Sequence, residues 1–249
     1  MTVTGEPSRR GIAAVPYTAY AWIAFGVCVV PAFLSAALLP GLQRRRRWVS
    51  ACARGFFRLA GIPVTVRGTE RLPDGHAVVV ANHASYLDGV ILQAFLPPRF
   101  SYVIKREMHS VPLGGLLLRR IGSRFVDRNR ASASARDARR LVRAAANGEA
   151  LAFFPEGTFR REAGLGRFRG GAFVTAVKAS APVVPVVIRG SREILPSGTM
   201  LVRRSRLEIV VLEPVAPEHA EFARPQRLAE IVRTRMLDAL DEPDLVAAD

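Results

Sequence analysis

The sequence is poor in cysteine and histidine, and this scarcity limits the kinds of site it can form. Its two cysteines, Cys28 and Cys52, fit neither a disulfide framework nor the spacing of metal ligands. The four histidines lack the H-x-x-x-H or C-x-x-C company that structural zinc requires. We therefore expect no metal site, and nothing in the chain requires an oxidising compartment.

Lysine is almost absent, although the chain is strongly basic. Lys105 and Lys178 are the two lysines among 36 basic residues, and the formal net charge is +15. Such an excess favours a partner that carries phosphate, such as a lipid headgroup, a membrane surface or a nucleic acid. Coding bias could explain the choice of arginine over lysine, but not the excess of bases over acids. Because no nucleic-acid recognition module accompanies the arginines, we expect no nucleic-acid partner.

Charge is missing from residues 11–43, which are dense in alanine, valine, leucine and aromatic residues. At about 1.5 Å per residue, one helix over this stretch would reach roughly 50 Å, whereas a hydrocarbon core is roughly 30 Å thick. Pro31 therefore predicts either a kinked single span or two shorter helices that enter one leaflet and return. We assign residues 1–60 to a membrane-anchoring helical segment and residues 61–249 to a separate domain.

Four consecutive arginines, Arg44–Arg47, follow the uncharged stretch. Apolar residues then recur at helical spacing: Trp48, Cys52, Phe56 and Leu59. This pattern indicates a helix lying on anionic lipid, or alternatively an amphipathic helix packed on the core. The positive-inside rule places the arginines and the following domain on the cytoplasmic side of the cell inner membrane. The same arginines oppose export, although Ser8-Arg9-Arg10 is similar to a twin-arginine signal.

Short β-branched runs alternate with helical patterns beyond residue 60. The predicted strands are Pro63 to Val66, Ala77 to Ala81, Ser101 to Ile104, Arg124 to Val126, Leu151 to Phe154, Val183 to Ile188 and Leu207 to Val211. The clearest predicted helices are Ser132 to Ala146, Gly171 to Ser180 and Pro225 to Leu240. This alternation predicts an α/β fold with a mostly parallel or mixed sheet covered by helices, and functional residues at strand ends.

A histidine and a carboxylate follow the second predicted strand at a spacing of five positions, as His83 and Asp88. An imidazole oriented by a carboxylate can take a proton from a hydroxyl near neutral pH. The alternative is structural: Asn82 or Ser85 would cap the following helix, and His83 would be a satisfied polar residue.

Four motifs in a fixed order, spanning about half the chain, give the sequence a family resemblance. They are Asn82-His83-Ala84-Ser85-Tyr86-Leu87-Asp88, Gly122-Ser123-Arg124-Phe125-Val126-Asp127-Arg128, Phe154-Pro155-Glu156-Gly157-Thr158 and Val184-Pro185-Val186-Val187-Ile188. They match N-H-x-S-x-x-D, G-x-x-F-[IV]-D-R, F-P-E-G-T and a V-P-V strand. The chain thus resembles the glycerolipid acyltransferase family, and is most similar to its 1-acyl-sn-glycerol-3-phosphate acyltransferases.

This resemblance implies transfer of a fatty acyl group from acyl-CoA or acyl carrier protein to the free hydroxyl of lysophosphatidic acid. Another lysolipid, such as a lyso-ornithine lipid or a different lysophospholipid, is the alternative acceptor. Membrane lipids are the expected partners, and no cofactor is expected beyond the acyl donor. We expect His83 to be the general base and Asp88 to fix its tautomer. Since Ser85 lacks a G-x-S-x-G elbow, we favour direct attack on the thioester over a covalent acyl-enzyme.

The acceptor phosphate needs cationic side chains. By resemblance Arg128 and Arg160 are expected to grip it, because a guanidinium fork matches phosphate oxygens, with Lys105 or Arg106 as helpers. Many family members continue F-P-E-G-T directly with Arg-Ser, whereas here Phe159 intervenes before the arginine. This changed register leaves the identity of the acceptor more open than the reaction.

The third motif is also expected to belong to the acceptor site. By resemblance Glu156 hydrogen-bonds a glycerol hydroxyl or orients an arginine, with Thr158 beside it. Gly157 would let the backbone approach the substrate closely. A non-catalytic membrane-binding module would explain the positive charge, but it gives no reason for a His/Asp pair and F-P-E-G-T at one edge of a sheet.

Overall fold

The protein is described here by a computed structural model that covers residues 9–127, 131–159 and 161–246. Within these residues the strands are β1 (Val64–Arg67), β2 (Val78–Ala81), β3 (Ser101–Lys105), β4 (Arg124–Val126), β5 (Leu151–Phe153), β6 (Val183–Arg189) and β7 (Leu207–Val211). The helices are α1 (Arg9–Leu38), α2 (Leu42–Leu59), α3 (Asp88–Phe95), α4 (Gly114–Arg120), α5 (Ala131–Ala146), α6 (Gly171–Lys178), α7 (Ser191–Ile194) and α8 (Pro225–Ala239). The α/β fold predicted from the sequence is confirmed, and every predicted strand agrees with an observed one to within one residue at each end.

The strands form one sheet in the order β1-β7-β6-β2-β5-β3-β4. All neighbouring pairs are parallel except β6 and β7, which run antiparallel, so the sheet is mixed. The central strand β2 is buried on both faces because helices cover the sheet from both sides. Val79 and Ala81 pack with the cluster that contains Phe56 and Ile91, whereas Val78 packs with the cluster on the opposite face.

The apolar N-terminal stretch forms one continuous helix, α1, with Pro16 and Pro31 inside it. The alternative prediction of two helices divided at Pro31 is therefore wrong. Residues Val15–Leu38 have a mean hydropathy of 2.1, and this is the one helix in the described parts of the chain that is long and apolar enough to cross a membrane. At about 1.5 Å per residue it would reach roughly 36 Å. Its length and composition indicate membrane association.

The helix α1 also packs against the rest of the protein. Ala21, Ala24 and Cys28 belong to the same buried cluster as Phe56 of α2. On its other side, large apolar residues are exposed: Ile23, Val27, Val30, Leu34 and Leu38. One side of α1 is therefore part of the protein core, and the other presents apolar side chains outward.

The four arginines at the start of α2, Arg44–Arg47, differ in their exposure to solvent. Arg46 is buried, with 4% of its surface exposed, and its guanidinium donates hydrogen bonds to the carbonyl of Ile121 at 2.7 Å and the hydroxyl of Ser101 at 2.6 Å. Arg44 and Arg47 are exposed. The prediction that the whole cluster faces anionic lipid is therefore wrong for Arg46, which joins α2 to β3 and to the end of α4.

The apolar stripe predicted on α2 divides in the same way. Trp48 and Leu59 are 59% and 47% exposed, whereas Phe56 is buried beside Phe57 in the core. Each of the two predictions for this helix is therefore correct for part of it. Phe56 packs on the core, as the second prediction requires, whereas Trp48 and Leu59 are exposed and could contact a lipid surface.

Candidate active site

The candidate site lies where β2 and β5 end, side by side in the sheet. His83 comes two residues after the end of β2, and Glu156 comes three residues after the end of β5. Because these strands are parallel neighbours, their following loops meet at one edge. Asn82 holds the end of β2 to β6: its amide donates to the carbonyl of Ile188 at 2.9 Å and accepts from the Ile188 N–H at 2.7 Å.

Asp88 fixes both the ring of His83 and the short loop that follows it. Its Oδ2 atom lies 2.9 Å from Nδ1 of His83 and also accepts hydrogen bonds from the N–H groups of Ala84 at 2.6 Å and Ser85 at 2.8 Å. The Asp88 side chain is fully buried, while 18% of the His83 side chain is exposed. When Nδ1 donates its hydrogen to Asp88, the Nε2 atom keeps a lone pair and can accept a proton.

The remaining polar residues of the first motif have structural partners. The hydroxyl of Ser85 is buried and donates to the carbonyl of Leu195 at 2.7 Å. It therefore shows none of the exposure that a serine nucleophile needs, which opposes the covalent alternative. Asn82 bridges to β6 and does not cap α3, so the capping alternative fails for that residue.

Glu156 uses both carboxylate oxygens on the backbone. Oε1 accepts from the N–H of His83 at 2.8 Å, and Oε2 accepts from the N–H of Gly166 at 2.9 Å. Burial raises the pKa of Glu156 above its ordinary value, although the two backbone hydrogen bonds act to lower it. The carboxylate thus ties the loop after β5 to the loop that carries His83, a role that the sequence did not predict.

Gly157 has a φ of +83°, and a Cβ atom there would lie only 2.6 Å from Nε of Arg169. Glycine is therefore needed both for the backbone conformation and for the close approach of that arginine.

Three aromatic rings surround the approach to His83. Phe154 stacks on the imidazole with centroids 4.2 Å apart, and Phe159 meets it edge-on at 4.6 Å. Tyr86 in turn meets Phe159 edge-on at 4.7 Å. The sequence indicated Phe159 only as an interruption of the usual register, because its contact with a histidine 76 positions away arises from the neighbouring strands.

A cavity of about 580 Å³ opens beside these rings, with His83, Tyr86 and Phe159 in its wall. Most of the lining is apolar and comes from both sides of residue 60, including Phe25, Cys28, Ala32, Val49, Leu117 and Ile121. Such a cavity suits an extended apolar chain.

The structure brings some predicted binding residues to this cavity and leaves others elsewhere. Lys105, Gly157 and Thr158 line it together with His83. Arg106 does not; it pairs with Asp137 at 3.1 Å. Arg128 and Arg160 lie outside the described residues. Within the part of the chain that is described, no group of three or more His, Cys, Asp or Glu side chains is arranged to hold a metal ion.

Arg169 also lines the cavity, and sequence reasoning assigned it no role. The signal that could have found it is its place in the loop that follows the third motif, directly before Gly170 and Gly171.

Residues 63–189 match the family model described as Acyltransferase. The chain is 29% identical over 211 residues to the 1-acyl-sn-glycerol-3-phosphate acyltransferase of Saccharomyces cerevisiae, which covers 82% of this chain and 69% of the yeast protein. It is 31% identical over 186 residues to the human enzyme named 1-acyl-sn-glycerol-3-phosphate acyltransferase alpha, which covers 74% of this chain and 66% of that protein. The chain is 26% identical over 197 residues to a chloroplast 1-acyl-sn-glycerol-3-phosphate acyltransferase, LPAT1, of Arabidopsis thaliana, and it spans 52% of the length of that protein.

Among solved structures, the fold is similar to that of the 1-acyl-sn-glycerophosphate (LPA) acyltransferase PlsC from Thermotoga maritima. The TM-score is 0.73, and the alignment covers 93% of this chain and 99% of that one at 23% identity. At this identity the likeness shows the fold.

Proposed function

The chain belongs to the acyltransferase family, and from this membership we propose that it is a 1-acyl-sn-glycerol-3-phosphate O-acyltransferase. The enzyme transfers a fatty acyl group from acyl-CoA or acyl carrier protein to the free hydroxyl of lysophosphatidic acid and so makes phosphatidic acid for phospholipid biosynthesis. The observation that carries the proposal is the His83–Asp88 pair, with Nδ1 and Oδ2 2.9 Å apart, at an apolar cavity. The names of the relatives support the choice of acceptor.

In this mechanism the Nε2 atom of His83 removes the proton from the acceptor hydroxyl. The hydroxyl oxygen bonds to the thioester carbonyl carbon, the C–S bond breaks, and the departing thiolate takes the proton from the imidazolium. Asp88 keeps the imidazole in the required tautomer and stabilises its positive charge. A positioned base of this kind contributes roughly 10²- to 10⁴-fold to the rate. The enzyme needs no cofactor besides the acyl donor.

The apolar cavity holds a fatty acyl chain. Each buried CH₂ group stabilises the complex by about 0.8 kcal/mol, so a chain that fills the cavity binds firmly without any polar contact. Because Phe25 and Cys28 of α1 line the cavity together with Phe154, the anchoring segment 1–60 and the catalytic domain 61–249 both contribute to substrate binding.

The phosphate of the acceptor is held by cations at the same cavity. Lys105 and Arg169 both line it, and a charge-assisted hydrogen bond to phosphate is stronger than a neutral one. Arg128 and Arg160 complete the phosphate site in this proposal, on the basis of the resemblance alone. Thr158 and the backbone at Gly157 face the same space.

The enzyme works at the cell inner membrane with the catalytic domain facing the cytoplasm. The apolar helix α1 supports the anchoring, and the exposed Arg44 and Arg47 support the orientation through the positive-inside rule.

The proposal is tested by offering the purified protein a panel of lysolipids with acyl-CoA and with acyl carrier protein thioesters and weighing the products. Phosphatidic acid from lysophosphatidic acid is the expected product. Exclusive acylation of lyso-ornithine lipid or of another lysophospholipid would overturn the proposed acceptor. If no lipid were acylated with either donor, a non-catalytic membrane module would be the better description.

A further inference from the structure

The imidazole of His83 is enclosed on several sides. Phe154 lies almost parallel to it, with an interplanar angle of 17° and centroids 4.2 Å apart. Phe159 meets the same ring at 66° and 4.6 Å, and Asp88 holds the Nδ1 atom. These contacts restrict the imidazole and cover part of its surface, and 18% of the His83 side chain remains exposed.

Tyr86 packs against Phe159, which in turn contacts His83. Its side chain is 58% exposed, and its ring meets Phe159 at 84° with centroids 4.7 Å apart. Both rings line the cavity that His83 also lines. Aromatic pairs in this edge-to-face geometry attract each other beyond the apolar area they bury. Phe159 is thus held between the imidazole and a ring on the outside.

Any base able to activate a lipid hydroxyl can also activate water. In transfer, the lipid oxygen bonds to the carbonyl carbon and its proton passes to Nε2. In hydrolysis, a water oxygen bonds to the same carbon and one water proton passes to Nε2; the C–S bond then breaks, the departing thiolate takes that proton, and the products are a fatty acid and the thiol. Keeping water away from the thioester prevents this side reaction.

We propose that Phe159, supported by Tyr86, is a positioning residue that covers His83 and favours transfer to the lipid hydroxyl over hydrolysis of the thioester. This inference rests on the proposed function and deepens it. Phe159 stands directly after F-P-E-G-T, at the position where many members of the family continue with arginine.

The test measures how the acyl group is partitioned. Wild type, Phe159→Ala and Phe159→Leu are given lysophosphatidic acid and the labelled palmitoyl thioester, of CoA or of acyl carrier protein, that the wild type turns over. The ratio of free fatty acid to phosphatidic acid is then measured. The Phe159→Ala protein should raise this ratio about fivefold or more, because the ring contacts with His83 and with Tyr86 are both lost. The Phe159→Leu protein should stay nearer the wild type, because leucine refills much of the space.

Phe168→Ala is the matched control. Phe168 is another partly buried phenylalanine of the same region, but it stacks on Phe173 with centroids 6.1 Å apart and packs on the opposite face of the sheet. The Phe168→Ala protein should give the same ratio of free fatty acid to phosphatidic acid as the wild type. An equal rise in the Phe168→Ala protein would overturn the inference, because any loss of packing would then suffice.

An active, folded Phe159→Ala protein with an unchanged ratio would contradict the inference and leave the proposed function standing. If that variant fails to fold, the ratio is measured in Phe159→Leu and in Tyr86→Ala, where a smaller rise is expected; an unchanged ratio in both would likewise contradict it. A wild type that acylates no lysolipid would contradict the proposed function and this inference together.

Discussion

The Oε1 atom of Glu156 accepts a hydrogen bond from the backbone N–H of His83 at 2.8 Å. The other carboxylate oxygen accepts from the N–H of Gly166 at 2.9 Å, so one side chain fixes two loops at the same edge of the sheet. Because His83 stands on one of these loops, Glu156 controls the position of the proposed base through its backbone.

We expect Glu156→Gln to lower kcat about tenfold or more while changing the KM for lysophosphatidic acid much less. Glutamine keeps one acceptor oxygen but turns an NH₂ group toward the second backbone donor, which displaces the loop of His83, and small displacements of a catalytic group are costly. Steady-state kinetics with varied acceptor measures both constants. A raised KM with unchanged kcat would instead show that Glu156 binds the acceptor, as the resemblance implied.

The raised pKa of Glu156 predicts how stability depends on pH. Burial makes the folded protein hold this proton more tightly than the unfolded chain does. The resulting stabilisation is complete below the ordinary pKa of glutamate and is lost as pH rises through the raised value. The Tm of the wild type relative to Glu156→Gln should therefore fall as pH increases from below about 4.5 toward neutrality. A Tm difference that is constant, or that grows with pH, would contradict the assigned shift.

The two arginines Arg46 and Arg47 are adjacent in sequence but should differ sharply when removed. Arg46→Ala leaves the Ser101 hydroxyl and the Ile121 carbonyl without their buried donor, so we expect a loss of about 2–4 kcal/mol in the free energy of unfolding. Arg47 is exposed, and Arg47→Ala should change stability by no more than about 0.5 kcal/mol. Denaturant unfolding of both variants in the same detergent measures the difference. Equal losses would contradict the inward position of Arg46.

The cations of the cavity should act on the acceptor phosphate. Lys105→Ala and Arg169→Ala are each expected to raise the KM for lysophosphatidic acid about tenfold, because a charge-assisted hydrogen bond is lost before the transition state is reached. A monoacylglycerol acceptor, which lacks the phosphate, should be affected little. Lys178→Ala, which removes an exposed lysine at the end of α6, serves as the control. Equal effects on both acceptors would show that these cations have another role.

The sheet and its helices were predictable from the spacing of the apolar residues. Short continuous apolar runs indicated buried strands, and apolar residues at helical spacing indicated the helices. The runs at Val78–Ala81 and Val183–Arg189 are rich in β-branched residues, as is typical of buried strands. The proximity of His83, Lys105 and Gly157 was also implied, since each follows or ends a strand of one sheet edge. Such residues meet whatever the details of the connecting loops.

Other features depend on packing that no local pattern records. Which arginine of Arg44–Arg47 turns inward is set by how α2 rotates against β3 and α4, because successive helical residues point about 100° apart. Phe154 and Phe159, the two rings that contact His83, come from a segment that is distant from it in sequence. The sequence also left open whether the apolar stretch is one helix or two at Pro31, since neighbouring groups in an apolar helix can compensate for a proline.

The central claim is that His83 is the base for acyl transfer to lysophosphatidic acid. Its most direct test is the amount of phosphatidic acid, identified by mass, made by His83→Ala under conditions where the wild type is active. His109→Ala is the matched control, because His109 packs against Phe125 and does not line the cavity. We predict that His83→Ala remains folded and membrane-bound but loses about 10²- to 10⁴-fold in turnover, while His109→Ala retains it. Turnover by His83→Ala close to that of the wild type would contradict the mechanism.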